Sequence, residues 1–92
     1  MIKSFKHKGL KKFFQVGDKS GIQPEHEQRL RLILAKMHTA HEIKDLSFPG
    51  SNLHALHHNR EGQWSITVKK NWRITFIFEA GEVELVNYED YH

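Results

Sequence analysis

The chain has no cysteine and only two prolines in its 92 residues. The first absence excludes a disulfide framework, a thiolate nucleophile and a cysteine-based metal site. No apolar run approaches the roughly 20 residues needed to span a bilayer, so no membrane partner is expected. The opening Met1-Ile2-Lys3-Ser4-Phe5 lacks the long apolar stretch of a secretory signal, which makes the cytoplasm the expected location. Acids are scarce at the front. Lys3, Lys6, Lys8, Lys11, Lys12 and Lys19 are met only by Asp18 before Pro24, and later acids gather at Glu79, Glu82, Glu84, Glu89 and Asp90. The net charge of +3 is modest, but its uneven distribution suits a polyanionic partner, because phosphate contacts release condensed counterions. The same lysines also fit a solvated helix face.

The length accommodates one domain, residues 1–92, without repeats, low-complexity segments or linkers. In the first half, Leu10, Phe13 and Phe14 recur at helical spacing, with Gly17 as a stop. Pro24 sits well in a first helical turn beside Glu25 and Glu27, which favour its positive end. Leu30, Ile33, Leu34 and Met37 then mark a second buried stripe. A short helical turn over Glu42 to Leu46 precedes the break at Pro49-Gly50. The second half alternates with period two: Trp64, Ile66, Val68, then Trp72, Ile74, Phe76, Phe78, then Val83 and Leu85. Helices first and strands later predict an α+β domain, its N-terminal helices packed on a mostly antiparallel curved sheet. Met1 to Phe5 and Asn52 to Leu56 are candidates for further strands.

Turn chemistry sets an expected register. A two-residue Ala80-Gly81 loop places Phe78 opposite Val83 and Phe76 opposite Leu85. A three-residue loop, Lys69-Lys70-Asn71, with Asn71 left-handed, places Val68 opposite Trp72 and Thr67 opposite Arg73. Arg73 then opposes Tyr88, and the period puts Asp90 and His92 on the Arg73 face. Strict alternation points Tyr91 the other way.

Arg73 is the sharpest single feature. A mid-strand arginine between Trp72 and Ile74 needs an anion or an exposed face. Its fork binds phosphate bidentately and stabilises charge in a phosphoryl transition state. The plainer alternative is a surface arginine paired with Glu84 or Glu89. The tail Tyr88-Glu89-Asp90-Tyr91-His92 supplies a histidine able to carry protons, a carboxylate to orient it or act as base, and a ring for stacking. The chain holds eight histidines, three of them in His54-Ala55-Leu56-His57-His58-Asn59-Arg60. His54, His57, His58 and His92 do not form a recognised ligand pattern, and adjacent His57 and His58 cannot easily aim at one ion from a strand. No metal and no cofactor is expected; phosphate or RNA contact by His57, His58 and Arg60, with Lys69 and Lys70, is. RNA cleavage without metal needs a base for the 2′-hydroxyl, an acid for the 5′-oxygen and a cation by the phosphate, and the last forty or so positions hold all three types.

Leu53-His54-Ala55-Leu56, Arg60-Glu61-Gly62-Gln63-Trp64-Ser65-Ile66, Asn71-Trp72-Arg73-Ile74-Thr75-Phe76 and Asn87-Tyr88-Glu89-Asp90-Tyr91-His92 resemble the HigB toxins of the RelE/ParE superfamily. The resemblance runs over essentially the whole chain. It implies a microbial-RNase-like fold and a ribosome-dependent messenger-RNA endonuclease that cuts codons in the A site. It further implies that His54, Asp90, Tyr91 and His92 match the catalytic set and that Arg73 matches the phosphate-contacting arginine. The basic helix residues Lys8, Lys11 and Lys12 would meet ribosomal RNA. The implied partners are the ribosome with its message and a helix-turn-helix antitoxin of the HigA type, through which alone operator DNA is bound. Relatives commonly carry Leu-Lys-Gly-Asp-Arg where this chain has Leu56-His57-His58-Asn59-Arg60, so a histidine stands in place of a permanent cation. The competing reading is a ParE-like inhibitor of DNA gyrase, which shares the fold but does not need His54, Asp90 and His92 in one site.

Overall fold

The computed structural model describes residues 1–90, the side chain of His58 excepted. Helix α1 spans Lys8–Val16 and buries Leu10 and Phe13. His7 caps its start, Nδ1 accepting from the Leu10 amide at 3.0 Å. Gly17 ends it with φ 77°, a left-handed conformation that costs a residue with a Cβ about 1–2 kcal/mol. A 3-10 turn, Pro24–His26, leads into helix α2, Glu27–Thr39. The stripe read from the sequence is buried in full: Leu30, Ile33, Leu34 and Met37. A second 3-10 turn, Ile43–Leu46, lies where the helical turn is expected and buries Leu46. No helix among the described residues is long and apolar enough to cross a membrane.

Four strands follow: β1 His54–Ala55, β2 Gln63–Lys69, β3 Trp72–Glu79 and β4 Glu82–Asp90. They form one antiparallel sheet in chain order. The N-terminal segment joins the far edge of β4 in parallel, through bridges Ile2 to Val83 and Phe5 to Val86. Each such pairing brings backbone bonds, among them Lys3 N–H to Val83 O at 2.7 Å and Val86 N–H to Ser4 O at 3.1 Å. One sheet face carries Ile66, Ile74, Phe76, Val83 and Val86, which join the helix residues Leu10, Leu30, Ile33 and Met37 in a single core. Removing each such side chain from water contributes about 1.5–3 kcal/mol. The α+β architecture expected from the sequence is present.

The register departs from expectation twice, each time at a bulge. The Ala80-Gly81 loop has both residues left-handed and sets Phe78 opposite Val83, as turn chemistry requires. Beyond it, Ile77 faces Glu84 but Thr75 faces Asn87. Leu85 and Val86 together oppose the single residue Phe76, and Leu85 adopts φ 54°. The expected pairing of Phe76 with Leu85 fails there, and every later residue of β4 turns to the other face. Arg73 therefore opposes Glu89, not Tyr88, and Asp90 opposes Trp72. Between β2 and β3 the turn has two residues, not three: Lys69 faces Trp72, Lys70 rather than Asn71 is left-handed, and Val68 sits in a bulge. Thr67 still opposes Arg73, since bulge and shorter loop compensate.

Candidate functional site

The sheet face opposite the core carries two adjoining rows of polar side chains. His54, Ser65, Thr75 and Asn87 are register partners in one row; Thr67, Arg73 and Glu89 form the next. Rows two residues apart on one face lie about 7 Å from each other. His54 and Arg73 are thus brought to a common surface.

His54 is exposed on the shortest strand. Its Nδ1 lies 2.9 Å from the Asn52 carbonyl oxygen, which can only accept, so Nδ1 carries the proton. The Nε2 lone pair is left facing the Ser65 hydroxyl at 3.4 Å. Asn52, left-handed at φ 47°, in turn reaches Thr67 Oγ1 from its side-chain nitrogen at 3.4 Å. The segment before β1 is therefore moulded onto β2, and Thr67 N–H donates to Ser51 O at 2.8 Å.

Arg73 is half-buried. Its Nη1 donates to the Lys70 carbonyl at 2.5 Å and to its neighbour Trp72's carbonyl at 3.3 Å. Among the described residues it forms an ion pair with neither Glu84 nor Glu89. The plainer pairing considered for it is absent, and its cation is met by neutral carbonyl oxygens at the β2–β3 turn.

Glu89 is engaged instead by Arg60. Arg60 Nη1 donates to Oε1 at 3.0 Å and Nη2 to Oε2 at 2.8 Å. Oε2 also accepts from Thr75 Oγ1 at 2.9 Å and Asn87 Nδ2 at 3.2 Å. The Arg60 bond, then those of Thr75 and Asn87, hold the Glu89 carboxyl below the usual carboxylate range despite its partial burial. Arg60, expected to contact RNA, spends its fork on this carboxylate and on Gln63 Oε1 at 3.3 Å.

Behind the site, on the core side, Tyr88 is buried. Its ring lies 4.7 Å from that of Trp72, and its oxygen lies 2.6 Å from His26 Nδ1 and accepts from the Gln23 amide at 3.3 Å. Burial pushes the His26 imidazole down and the Tyr88 phenol up, so both stay neutral near pH 7. Sequence reasoning missed His26 because its partner stands 62 positions away. It missed Glu89's role because the Leu85 bulge, which puts Glu89 rather than Tyr88 opposite Arg73, leaves no alternation signal.

The remaining expected residues are dispersed. Lys69 and Lys70 are exposed at the β2–β3 turn, close to Arg73 in sequence and space. Lys69 also lies near enough to His26 to disfavour its protonation. His57 is exposed just before the 3-10 turn His58–Arg60. Lys8, Lys11 and Lys12 are exposed on α1, which packs on the core face, away from the His54 row. Asp90 ends β4 opposite Trp72, so the register removes it from Arg73's face. Tyr91 and His92 lie outside the described residues. Among the described residues no three His, Cys, Asp or Glu side chains gather as metal ligands.

The model of a HigB-like family, described as the RelE-like toxin of type II toxin–antitoxin system HigB, matches residues 3–92. An "Endoribonuclease HigB" of Proteus vulgaris is 51% identical over 92 residues, covering all of both chains. In fold, the chain is similar to a chain of the YoeB-YefM complex from Staphylococcus aureus, with TM-score 0.63 and 12% identity over 100% of this chain and 98% of the other. A family match over nearly the full length, and a relative this similar from end to end, place the chain in one group: it belongs to the HigB family of RelE-like toxins of type II toxin–antitoxin systems.

Proposed function

We propose that this toxin is an endoribonuclease that cuts messenger RNA on the ribosome, within A-site codons, by metal-independent acid–base chemistry. The observation that carries the reading is the presence of His54 and Arg73 on adjoining rows of the sheet face opposite the core. The Proteus vulgaris relative, named an endoribonuclease and 51% identical, supports the same class. In the reaction a base takes the 2′-hydroxyl proton, the 2′-oxygen attacks the adjacent phosphorus, and an acid delivers a proton to the departing 5′-oxygen. The products are a 2′,3′-cyclic phosphate and a 5′-hydroxyl.

His54 suits the proton-taking step, because its Nδ1 proton is held by the Asn52 carbonyl and its Nε2 is the basic nitrogen. Asp90, Tyr91 and His92 are the other proposed catalytic groups. Each proton transfer of this kind contributes roughly 10²–10⁴-fold in rate. Arg73 is proposed to leave the Lys70 carbonyl for the scissile phosphate, since an anion is a stronger acceptor than a neutral carbonyl. Lys8, Lys11, Lys12, Lys69, Lys70, His57 and His58 are proposed to meet the RNA of message and ribosome. The proposed partner is a helix-turn-helix antitoxin that neutralises the toxin and carries it to operator DNA.

Mapping message 5′ ends after expression in growing cells tests the proposal. Wild type should give cuts phased with codons, lost in His54→Ala and His92→Gln. An intact message, or cuts without codon phase, would remove the ribosome-dependent nuclease reading; inhibited supercoiling by purified gyrase would move the chain to the competing one.

A further inference from the structure

β1 has two residues and pairs only with β2, while the end of β4 pairs with β3. Two strands therefore separate His54 from the strand end that carries Asp90. A bidentate ion pair crosses that gap directly. Arg60, at the end of the 3-10 turn that follows β1, reaches over the sheet to Glu89, the residue before Asp90. The guanidinium is bidentate, and the same carboxylate is fixed from below by Thr75 on β3 and from beside by Asn87 on β4. Both charged side chains are about three-quarters covered, with exposures of 28% and 25%. Four bonds to one carboxylate define where that strand end sits and how it is rotated.

We infer, on the nuclease reading above, that Arg60 and Glu89 are positioning residues: their clamp holds the Asp90 end of β4 in register with His54. Glu89 does not serve as an acid or base here, because its oxygens are occupied by four donors. Nor does it assist binding. It is a negative charge on the face where a phosphate would lie, and its ion pair is with Arg60. Loss of its charge should therefore help RNA bind while letting the strand end drift. A misplacement of about 1 Å in a reacting group can cost about 10²-fold in rate. The signature is a split between kcat and KM that simple destabilisation does not produce.

The experiment measures cleavage of a message on programmed ribosomes by purified full-length toxin, with thermal melts of each variant. Glu89→Gln keeps the shape and the Thr75 and Asn87 bonds but removes the charge. It should lower kcat about 10- to 100-fold with KM unchanged or lower, while remaining folded at the assay temperature. Arg60→Gln should lower kcat and raise KM, and the double variant should lose no more kcat than Arg60→Gln alone, because both break one clamp. Arg60→Lys keeps the charge without the fork and should fall between wild type and Arg60→Gln. Wild-type kcat in Glu89→Gln overturns the inference, as do losses that multiply in the double variant. Should Glu89→Gln not fold, wild-type kcat in Arg60→Lys overturns it equally. Wild-type toxin that leaves the message whole, with every variant silent, overturns the nuclease reading itself, a result distinct from active wild type with unaltered variants.

Discussion

Tyr88 and His26 bind each other at 2.6 Å in the interior, beside Trp72, and the Gln23 amide donates to the same phenol oxygen. Both side chains are nearly inaccessible, at 4% and 3% exposure, so water cannot replace a lost partner. Tyr88→Phe would leave the Gln23 amide and His26 Nδ1 without it. A buried polar group stripped of its partner costs about 1–3 kcal/mol. We expect Tyr88→Phe to lower unfolding free energy by about that amount in urea titrations, with the core ring packing retained. Unchanged stability would mean that the phenol bond does not join the α1–α2 loop to the sheet. His54 stands at the other extreme: it is exposed and buries little, and its substitution should change activity far more than stability.

At the scale of elements, α1 and the loop before α2 meet backbone to backbone. A Cβ on Gly9 would lie 2.8 Å from Gly21 O and 2.9 Å from Gly21 Cα, and one on Gly21 would lie 2.6 Å from Gly9 Cα. Alanine is the better helix former by about 1 kcal/mol, but here main chain would have to move. Overpacking of this kind costs about 1–3 kcal/mol. Gly9→Ala should therefore destabilise the protein in denaturant unfolding; a variant as stable as wild type would show that the crossing can open freely. The Leu85 bulge acts on the same scale with larger consequences. It inserts one residue into β4, so Tyr88 enters the core and Glu89 comes to Arg60. Without it, Asp90 would share Arg73's face.

For the whole molecule, titration links stability to pH. Burial lowers the pKa of His26, and of His7, so the unfolded chain binds more protons as pH falls below the ordinary histidine range. Their contribution is complete above the ordinary histidine range near about pH 6.5 and is lost as pH falls from there through their own depressed values. Glu89 is lowered chiefly by Arg60; its contribution is complete above the ordinary carboxylate range and lost as pH falls through its own depressed value. Tyr88, raised by burial, keeps its contribution below the ordinary tyrosine range near about 10 and loses it as pH rises from there through its own raised value. Melting midpoints should therefore be highest between about pH 7 and 9, fall in two acid steps and fall again in alkali. In His26→Gln the first acid step should shrink; a profile unaltered by that change would contradict the assignment.

Periodicity and turn residues determined much of this protein by themselves. The stripe Leu30, Ile33, Leu34, Met37, the Gly17 stop, the Ala80-Gly81 hairpin and the alternation along β3 are local signals, and each is found where the residues put it, whereas the alternation of β4 breaks at Leu85. The placement of Arg73 opposite Thr67 also followed from turn chemistry and alternation. Tertiary structure alone decided the rest. A bulge at a half-exposed leucine has no spacing signature, because the packing of Val83, Val86 and Tyr88 on the core, and not the chain's local preference, selects which residue is squeezed out. The partners Arg60 with Glu89 and His26 with Tyr88 are likewise products of folding: they lie 29 and 62 positions apart, and charge or ring type alone gives each residue many possible mates.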